Sequence, residues 1–331
     1  MDPEGTLILT RRDVVALLRL PECIDAVERA FRLHAEGRAL PPGVLGVPAR
    51  DGGFHVKAAG LELGRPYFAA KVNGNFFRNR ERFGLANIQG VIVLCDAENG
   101  SVLALLDSIE ITTLRTGAAT AVAARHLARP DSRVAAICGC GNQGRVQLRA
   151  LKQVRPIERV AAFDTDAARA RAFAAELSPE LGIEIHAAPS VDAAVKESDI
   201  VVTCTPARRY FLTREHIRPG TFVAGVGADN EDKQELDPAL LASSTVVVDV
   251  LDQCATIGDL HHALAQGTMT RAQVHAELAD IVSGKKPGRT AAGETIVFDS
   301  TGTALQDVAA AALVFEKARR AARGLTVQLG A

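Results

Sequence analysis

Hydrophobic and polar positions near the start of the chain follow a helical period. Thr10 and Asp13 have the spacing of a capping box, which predicts that a short helix begins there. Pro21 is expected to end this first helix. A second helix, with its apolar residues on one face, is predicted to end near Gly37.

From about Val44 to Leu106 the pattern changes to short runs rich in Val, Ile and Phe, broken by Gly, Asn and Pro. Such runs predict an antiparallel region of strands and hairpins. A helix is then predicted over Ile111–Leu127, with Thr112 or Thr113 near its cap and Pro130 beyond its end.

After Pro130 the chain alternates between short apolar runs and helical segments or loops, and six of these runs predict a doubly wound parallel sheet. The predicted strands are Val134–Cys138, Val160–Phe163, Ile183–Ile185, Ile200–Thr203, Phe222–Val226 and Val246–Val248. A seventh run, Thr295–Phe298, leads into a long Ala-rich helix that is predicted to end at Gly324.

The order of these patterns predicts an α/β chain in which a Rossmann-type parallel sheet is inserted into an α+β domain. We assign residues 1–113, completed by a C-terminal helix in 304–331, to the α+β domain. Residues 114–303 are assigned to the domain of the parallel sheet. The length of 331 residues suits two domains of ordinary size.

Composition narrows the functional class. The net charge is −1, so the chain has no global positive field to gather nucleic acid or an anionic membrane. No apolar run approaches the length of a transmembrane helix, and the acidic start MDPEGTLILT lacks the features of a signal peptide. Six scattered cysteines are interpreted as reduced, buried thiols of a cytoplasmic protein: Cys23, Cys95, Cys138, Cys140, Cys204 and Cys254.

A glycine-rich turn directly after the first predicted strand of the parallel sheet has the G-x-G-x-x-G pattern. Gly139 allows the tight turn, Gly141 allows close approach to a pyrophosphate, and Gly144 allows the helix to pack on the strand. Asn142 and Gln143, between the last two glycines, are included among the predicted cofactor-binding residues. The alternative is that the glycines only make a tight strand–helix turn.

An acidic residue at the end of the next predicted strand favours one cofactor. Asp164 lies 20 residues beyond Gly144, where a carboxylate would accept a hydrogen bond from an adenosine ribose and repel a 2′-phosphate. The sequence therefore predicts NAD(H) rather than NADP(H).

Other residues at predicted strand ends suggest a second wall for the cofactor. Thr205 and Pro206 follow the fourth strand and Val226 ends the fifth, where ligands bind in open α/β sheets. Ordinary strand-terminating turns explain these residues equally well. Thr116 completes the predicted cofactor-binding set.

Three cations lie in apolar segments of the predicted α+β domain or of the helix that follows its strands. Lys57 and Lys71 occur in strand-like runs, and Arg115 occurs in a helix of small and apolar residues. A buried cation is costly unless it is paired, so each either meets a protein carboxylate or serves an anionic substrate. Taken singly, each is explained by a salt bridge or by a side chain that reaches solvent. Three in one domain favour an anion site.

Asp229, just after the fifth strand, is the candidate general acid or base, and a helix N-cap is its alternative explanation.

His261 and His262 are neighbours in the sequence and lack the spacing of a metal site, so no metal is predicted.

Four segments of the chain resemble one known family, the ornithine cyclodeaminase/mu-crystallin family. They are GLANIQGVIVLCDAENGSVLALLDSIEITTLRTGAATAVAARHLA, ICGCGNQG, VGADNEDKQELDPALL and IVFDSTGTALQD. The resemblance extends over nearly the whole chain. It implies that the domain of residues 1–113 and 304–331 binds substrate and forms homodimers, and that the Rossmann domain of residues 114–303 binds NAD. It also implies that the active site lies between these two domains.

The resemblance also implies roles for individual residues. The family's substrate-carboxylate lysine falls on Lys71, its helix arginine on Arg115, and the catalytic aspartate of the cyclodeaminase and alanine dehydrogenase branches on Asp229. Mu-crystallin-like ketimine reductases have Ser at that last position. Most members have a basic residue where this chain has Gly43, and we hypothesise that Lys57 replaces it or binds a second acidic group.

These implications lead to one preferred function and two alternatives. We expect an NAD(H)-dependent oxidoreductase that interconverts a small L-amino acid and its α-imine or keto acid, with Asp229 and Lys71 as catalytic residues. The first alternative is deaminating cyclisation of ornithine to proline with catalytic NAD⁺. The second is a non-catalytic binder of a dinucleotide or a small ligand.

Overall fold

The computed structural model describes residues 5–329 and divides them into two units. One unit contains the described residues up to Arg115 together with those from Thr303 onward, and the other contains Thr116–Gly302. The first four residues of the acidic start and the last two of the predicted C-terminal segment 304–331 lie outside the described part.

In chain order the described strands are β1 Thr6–Leu9, β2 Ala39–Ala49, β3 Gly52–Glu62, β4 Pro66–Asn75, β5 Ile88–Asp96, β6 Val102–Asp107, β7 Val134–Cys138, β8 Arg159–Phe163, β9 Glu184–Ala187, β10 Ile200–Thr203, β11 Arg208–Leu212, β12 Phe222–Gly225, β13 Gln234–Leu236, β14 Thr245–Val248, β15 Ala276–Glu277, β16 Ile296–Asp299 and β17 Leu325–Val327. The α-helices are α1 Arg11–Leu17, α2 Leu20–Ala35, α3 Asn79–Phe83, α4 Ser108–Leu127, α5 Asn142–Val154, α6 Ala167–Leu181, α7 Val191–Val195, α8 Pro238–Ala242, α9 Leu251–Ile257, α10 Asp259–Ala265, α11 Leu278–Val282 and α12 Ala304–Arg320. Short 3₁₀ helices occupy Arg214–His216 and Arg271–Gln273.

The first unit is built on a sheet of seven described strands in the order β17-β1-β6-β5-β4-β3-β2. Strands β2 to β6 form an antiparallel meander, whereas β1 pairs parallel with β6. Helix α12 packs against β3, β4 and α2. It is rich in alanine and almost completely buried, because small side chains let it lie close to its neighbours.

The second unit is a parallel sheet of eight described strands in the order β15-β14-β16-β12-β10-β7-β8-β9. From β7 the chain moves to β8 and β9 on one side, and from β10 it moves to β12 on the other. The order therefore reverses between β7 and β10, and ligands of open α/β sheets bind at the carboxyl ends of the strands at such a point. The predicted Rossmann-type doubly wound sheet is confirmed.

Local details differ from the predictions in the first unit. Pro21 lies in the first turn of α2 instead of ending α1, since proline is tolerated where the helix has no amide partner. The capping box of Thr10 and Asp13 is present. Helix α4 begins at Ser108, and Asp107 rather than Thr112 or Thr113 accepts a hydrogen bond from the first turn, at Ile109 N.

The cysteines are all free thiols, and four are buried as expected. Cys95 and Cys204 are only partly buried, contrary to the prediction. Among the helices of residues 5–329, none combines the length and the apolar character that crossing a bilayer requires.

Candidate functional site

A buried carboxylate joins two of the predicted cations in the first unit. Asp307, in the first turn of α12, places Oδ2 2.7 Å from Lys71 Nζ on β4 and Oδ1 2.9 Å from Arg115 Nε on α4. The side chains of Lys71, Arg115 and Asp307 are at most 5% exposed. Because α12 lies across the sheet face that bears Lys71, residues far apart in the sequence form one charged cluster.

Lys57 belongs to the same cluster. It lies directly opposite Lys71 in the β3–β4 register, so both side chains are on one face of the sheet, and Lys57 is 7% exposed. Gly43 pairs instead with Ala58, the next residue along β3, and therefore lies on the opposite face. Lys57 thus does not occupy the place that a side chain at residue 43 would take, and its role in binding a carboxylate stays a prediction.

Gln306 adds a further donor to the cluster. Its Oε1 accepts a hydrogen bond of 2.7 Å from Arg115 Nη1, and its side chain is fully buried. Its Nε2 makes no hydrogen bond to any residue of the described chain. A buried amide donor without a partner is costly, so this position suits an acceptor supplied by a ligand.

The electrostatics of the cluster follow from burial and from like charges. Burial, with the charge of Arg115 adding to it, lowers the pKa of Lys71 to about 7, although Asp307 opposes the shift. Burial alone would raise the pKa of Asp307, but the charges of Arg115 and Lys71 outweigh it and hold that pKa below its usual value. Positive charge thus exceeds negative charge in this cluster, as an anion-binding site requires.

The glycine-rich turn of the second unit has the geometry that its pattern predicts. Gly139 has φ +108°, and a Cβ there would lie 2.8 Å from the carbonyl oxygen of Cys204. A Cβ on Gly144 would lie 2.1 Å from the carbonyl oxygen of Gly139, so close packing of helix on strand requires glycine. Gly141 precedes α5 without a side-chain cap, and the space around it is open. The amides at the start of α5, which begins at Asn142 and Gln143, are therefore available to a pyrophosphate.

Asp164 follows β8 beside this turn. Its Oδ2 accepts a hydrogen bond from Cys140 N and its Oδ1 accepts one from Asp166 N, both of 2.9 Å. The carboxylate is thereby fixed next to the glycine-rich turn, where the adenosine ribose of a dinucleotide would lie. This arrangement fits NAD(H), and the assignment of Asp164 to the ribose stays a prediction.

The residues predicted for a second wall of the cofactor site follow β10 and β12. Val226 is buried and donates its amide to Thr203 O, while Pro206 is exposed. The amide and the hydroxyl of Thr205 are both directed at the carboxylate of Glu235. Thr116 is half-buried in α4. The assignment of these residues to the cofactor stays a prediction.

Asp229 lies in the loop between β12 and β13. Its side chain is 44% exposed, and its Oδ1 is 2.6 Å from Lys233 Nζ. The alternative explanation, a helix N-cap, is wrong because no helix begins there. His262 contacts the carbonyl oxygen of Lys233, and the described residues contain no group of three ligands arranged for a metal ion.

The sequence analysis did not identify Asp307, Gln306 or Glu235. Asp307 could have been found from the reasoning applied to the lysines, since it is the one charged residue in the Ala-rich segment 304–315 of α12. Glu235 gave no such signal, because it lies within the charged run Asp232–Asp237 and is nevertheless fully buried.

A family model and several solved structures match this chain over most of its length. The model of the ornithine cyclodeaminase/mu-crystallin family matches residues 4–322. An archaeal alanine dehydrogenase, solved as a dimer with bound NAD, superposes with a TM-score of 0.94 at 35% identity, covering 98% of this chain and 99% of that chain. The Delta(1)-pyrroline-2-carboxylate reductase of Thermococcus litoralis, in complex with NADH and L-proline, gives 0.92 at 36% identity, covering 97% and 100%. The iminosuccinate reductase of Paracoccus denitrificans, in complex with NAD⁺, gives 0.90 at 30% identity, covering 98% and 100%.

Proposed function

Since this chain belongs to the ornithine cyclodeaminase/mu-crystallin family, we propose that it is an NAD(H)-dependent oxidoreductase. Its reaction interconverts a small L-amino acid and the corresponding α-imine or keto acid. The names of three solved relatives describe substrates of this kind. They are an alanine dehydrogenase, a pyrroline-2-carboxylate reductase and an iminosuccinate reductase.

The observation that carries the proposal is the buried donor cluster of the first unit. Lys71 and Arg115 both contact a single carboxylate, Asp307. Gln306 accepts a hydrogen bond from Arg115, and Lys57 adds a further cation. Such a cluster suits the carboxylate that every α-amino and α-imino acid carries. Lys57, Lys71 and Arg115 are the proposed substrate-binding residues.

The cofactor part of the proposal rests on the second unit. The open start of α5 and the carboxylate of Asp164 fit the pyrophosphate and the adenosine ribose of NAD(H). When bound, NAD(H) supplies hydride to the substrate's α-carbon or accepts hydride from it. The proposed cofactor-binding residues are Gly139, Gly141, Asn142, Gln143, Gly144, Asp164, Thr205, Pro206, Val226 and Thr116.

Proton transfer is assigned to the residues of the protein. Asp229 is the proposed general acid–base group, which handles the proton of the substrate amine or of a water that attacks the imine. Its exposed carboxylate beside Lys233 is accessible to a ligand. Lys71 orients the substrate through its carboxylate, and the pKa of Lys71 near 7 lets this ammonium exchange its proton close to neutral pH.

The experiment is a spectrophotometric assay of NADH consumption with ammonium and a panel of pyruvate, glyoxylate, oxaloacetate and cyclic imino acids. Substrate-dependent loss of NADH supports the proposal. A protein that binds NADH, consumes none and converts ornithine to proline is a cyclodeaminase instead. If neither reaction occurs, the protein is a binder, and the proposal is wrong.

We propose further that the first unit, residues 1–113 with 304–331, binds substrate and forms a homodimer, and that residues 114–303 bind NAD(H). The outer strand β2 exposes Leu40, Val44, Leu45 and Val47, an apolar surface that a second copy would cover. Light scattering should give twice the chain mass, and Leu45→Lys should give a monomer. A wild-type monomer contradicts the proposed homodimer.

The six free thiols support a cytoplasmic location.

A further inference from the structure

Glu235 on β13 is a fully buried carboxylate held by four hydrogen bonds. Its Oε1 accepts from Thr205 N at 2.6 Å and from Thr205 Oγ1 at 2.7 Å. Its Oε2 accepts from Thr203 Oγ1 at 2.7 Å and from Gly227 N at 2.8 Å. Each oxygen therefore serves one backbone amide and one hydroxyl.

These bonds join the ends of two adjacent strands of the parallel sheet. Thr203 and Thr205 lie at the end of β10, and Gly227 follows β12, its neighbour. A Cβ on Gly227 would lie 2.4 Å from Thr205 O and 2.5 Å from the carboxyl carbon of Glu235. The close approach of the two segments thus requires both glycine at 227 and the carboxylate at 235.

The same carboxylate closes the loop that carries Asp229. The loop runs from Gly227 to Glu235, and the bond between Gly227 N and Glu235 Oε2 ties its two ends together. The backbone of Glu235 is fixed in turn, because Asp259 Oδ1 accepts from Glu235 N at 2.8 Å and from Leu236 N at 2.9 Å. The position of Asp229 therefore depends on a buried anchor behind it.

We propose that Glu235 is a positioning residue that sets the place of Asp229 by closing the loop between Gly227 and itself. This inference rests on the proposed function, in which Asp229 transfers the proton. A displacement of about 1 Å in a group that takes part in the chemistry is enough to lower a rate by up to about 100-fold.

The structure indicates which substitution breaks the anchor while keeping its shape. In Glu235→Gln one oxygen becomes an amide group that can only donate. In the wild type, Oε1 accepts a hydrogen bond from Thr205 N and Oε2 accepts one from Gly227 N. Both donors are backbone amides, which can donate a hydrogen bond but cannot accept one. Either orientation of the Gln side chain therefore sets a donor against a donor.

The test is a double-mutant cycle of Glu235→Gln with Asp229→Asn, measured as kcat, the KM values of NADH and imino acid, and thermal unfolding. We expect Glu235→Gln to lower kcat at least about 10-fold while both KM values change by less than about 3-fold. In the Asp229→Asn background the same change should lower kcat by less than about 2-fold, because a residue that acts through Asp229 has nothing left to position. The matched control Glu184→Gln, exposed on β9, should leave all values unchanged.

An unchanged kcat in Glu235→Gln overturns the inference, and so do effects that multiply in the double variant, because they indicate a structural role independent of Asp229. If Glu235→Gln does not fold, Thr203→Val removes one donor to Oε2 without changing the side-chain shape. Its decrease in kcat, about 3-fold, must likewise disappear in the Asp229→Asn background. A wild-type protein without activity contradicts the proposed function, and the inference on Glu235 then fails as well. If the wild type is active and the Glu235 variants do not behave as expected, only the inference on Glu235 is wrong.

Discussion

Lys57 and Lys71 lie directly opposite each other on the adjacent antiparallel strands β3 and β4, and both are buried. Like charges in such positions repel each other, and the charge of Lys57 contributes to the lowered pKa of Lys71. Two cations held together at this cost support the proposed binding of a substrate carboxylate.

Lys57→Met tests this relationship. Removal of one cation should raise the KM of the imino-acid substrate about 10-fold or more and leave the Kd of NADH unchanged, because the lost interaction is with the substrate's carboxylate. Steady-state kinetics and NADH fluorescence measure the two effects. The control Lys196→Met changes an exposed lysine. An unchanged KM would remove Lys57 from the substrate site.

The lowered pKa of Lys71 predicts a pH dependence of anion binding. With a pKa of about 7 instead of 10.5, Lys71 loses its charge as the pH rises through neutrality. The inhibition constant of a carboxylate without an amine, such as cyclopentanecarboxylate, should therefore rise roughly 5- to 10-fold between about pH 7 and 9. Lys71→Arg, which keeps its charge, should flatten this dependence. The same steep rise in the variant would contradict the assignment.

Asp307 is the carboxylate that both Lys71 and Arg115 contact. Asp307→Asn leaves two buried cations without their counter-charge and should lower the free energy of unfolding by about 3 kcal/mol. Denaturant unfolding followed by circular dichroism measures this. Glu22→Gln is the control: Glu22, with a side chain that is 44% exposed, forms an ion pair with Lys317. Its substitution should lower the free energy of unfolding by less than about 1 kcal/mol. Equal effects in the two variants would show that the cluster does not depend on Asp307.

Asp164 is the residue proposed to set the preference for NADH over NADPH. Asp164→Ser should lower the ratio of kcat/KM for NADH over NADPH about 10-fold or more, since it removes the ribose acceptor and the charge that repels a 2′-phosphate. Asp166→Asn is the matched control: this residue caps α6 two residues further on, Asn caps a helix equally well, and the ratio should stay at the wild-type value. If the Asp164 variant keeps the wild-type ratio, another residue sets the preference.

Much of the fold could be predicted because its signals are local. The strands of the parallel sheet are continuous apolar runs. The three glycines of the turn at Gly139–Gly144 have the spacing that is typical of a dinucleotide-binding turn. Strand β1 was missed, since it is four residues long and is held by pairing with β6 and β17, far away in the chain. Short strands β11, β13 and β15 were missed for a similar reason.

The candidate site was predicted only in part, because some of its residues come together only through contacts between distant parts of the chain. Lys57, Lys71 and Arg115 were conspicuous because each is charged among apolar neighbours. Asp307 became visible only when the fold placed α12 against β3 and β4. Glu235 is surrounded by charged residues in the sequence, so its burial depends on tertiary contacts that no local pattern records.

In the proposed reaction, hydride passes between NADH and the substrate's α-carbon. The most direct measurement uses NADH carrying deuterium in both positions at C4 of the nicotinamide, with the imino acid that the assay identifies, and determines the mass of the amino-acid product. The account predicts a product heavier by one mass unit, with the deuterium at the α-carbon. An amino acid formed without deuterium, or with deuterium elsewhere, would contradict it.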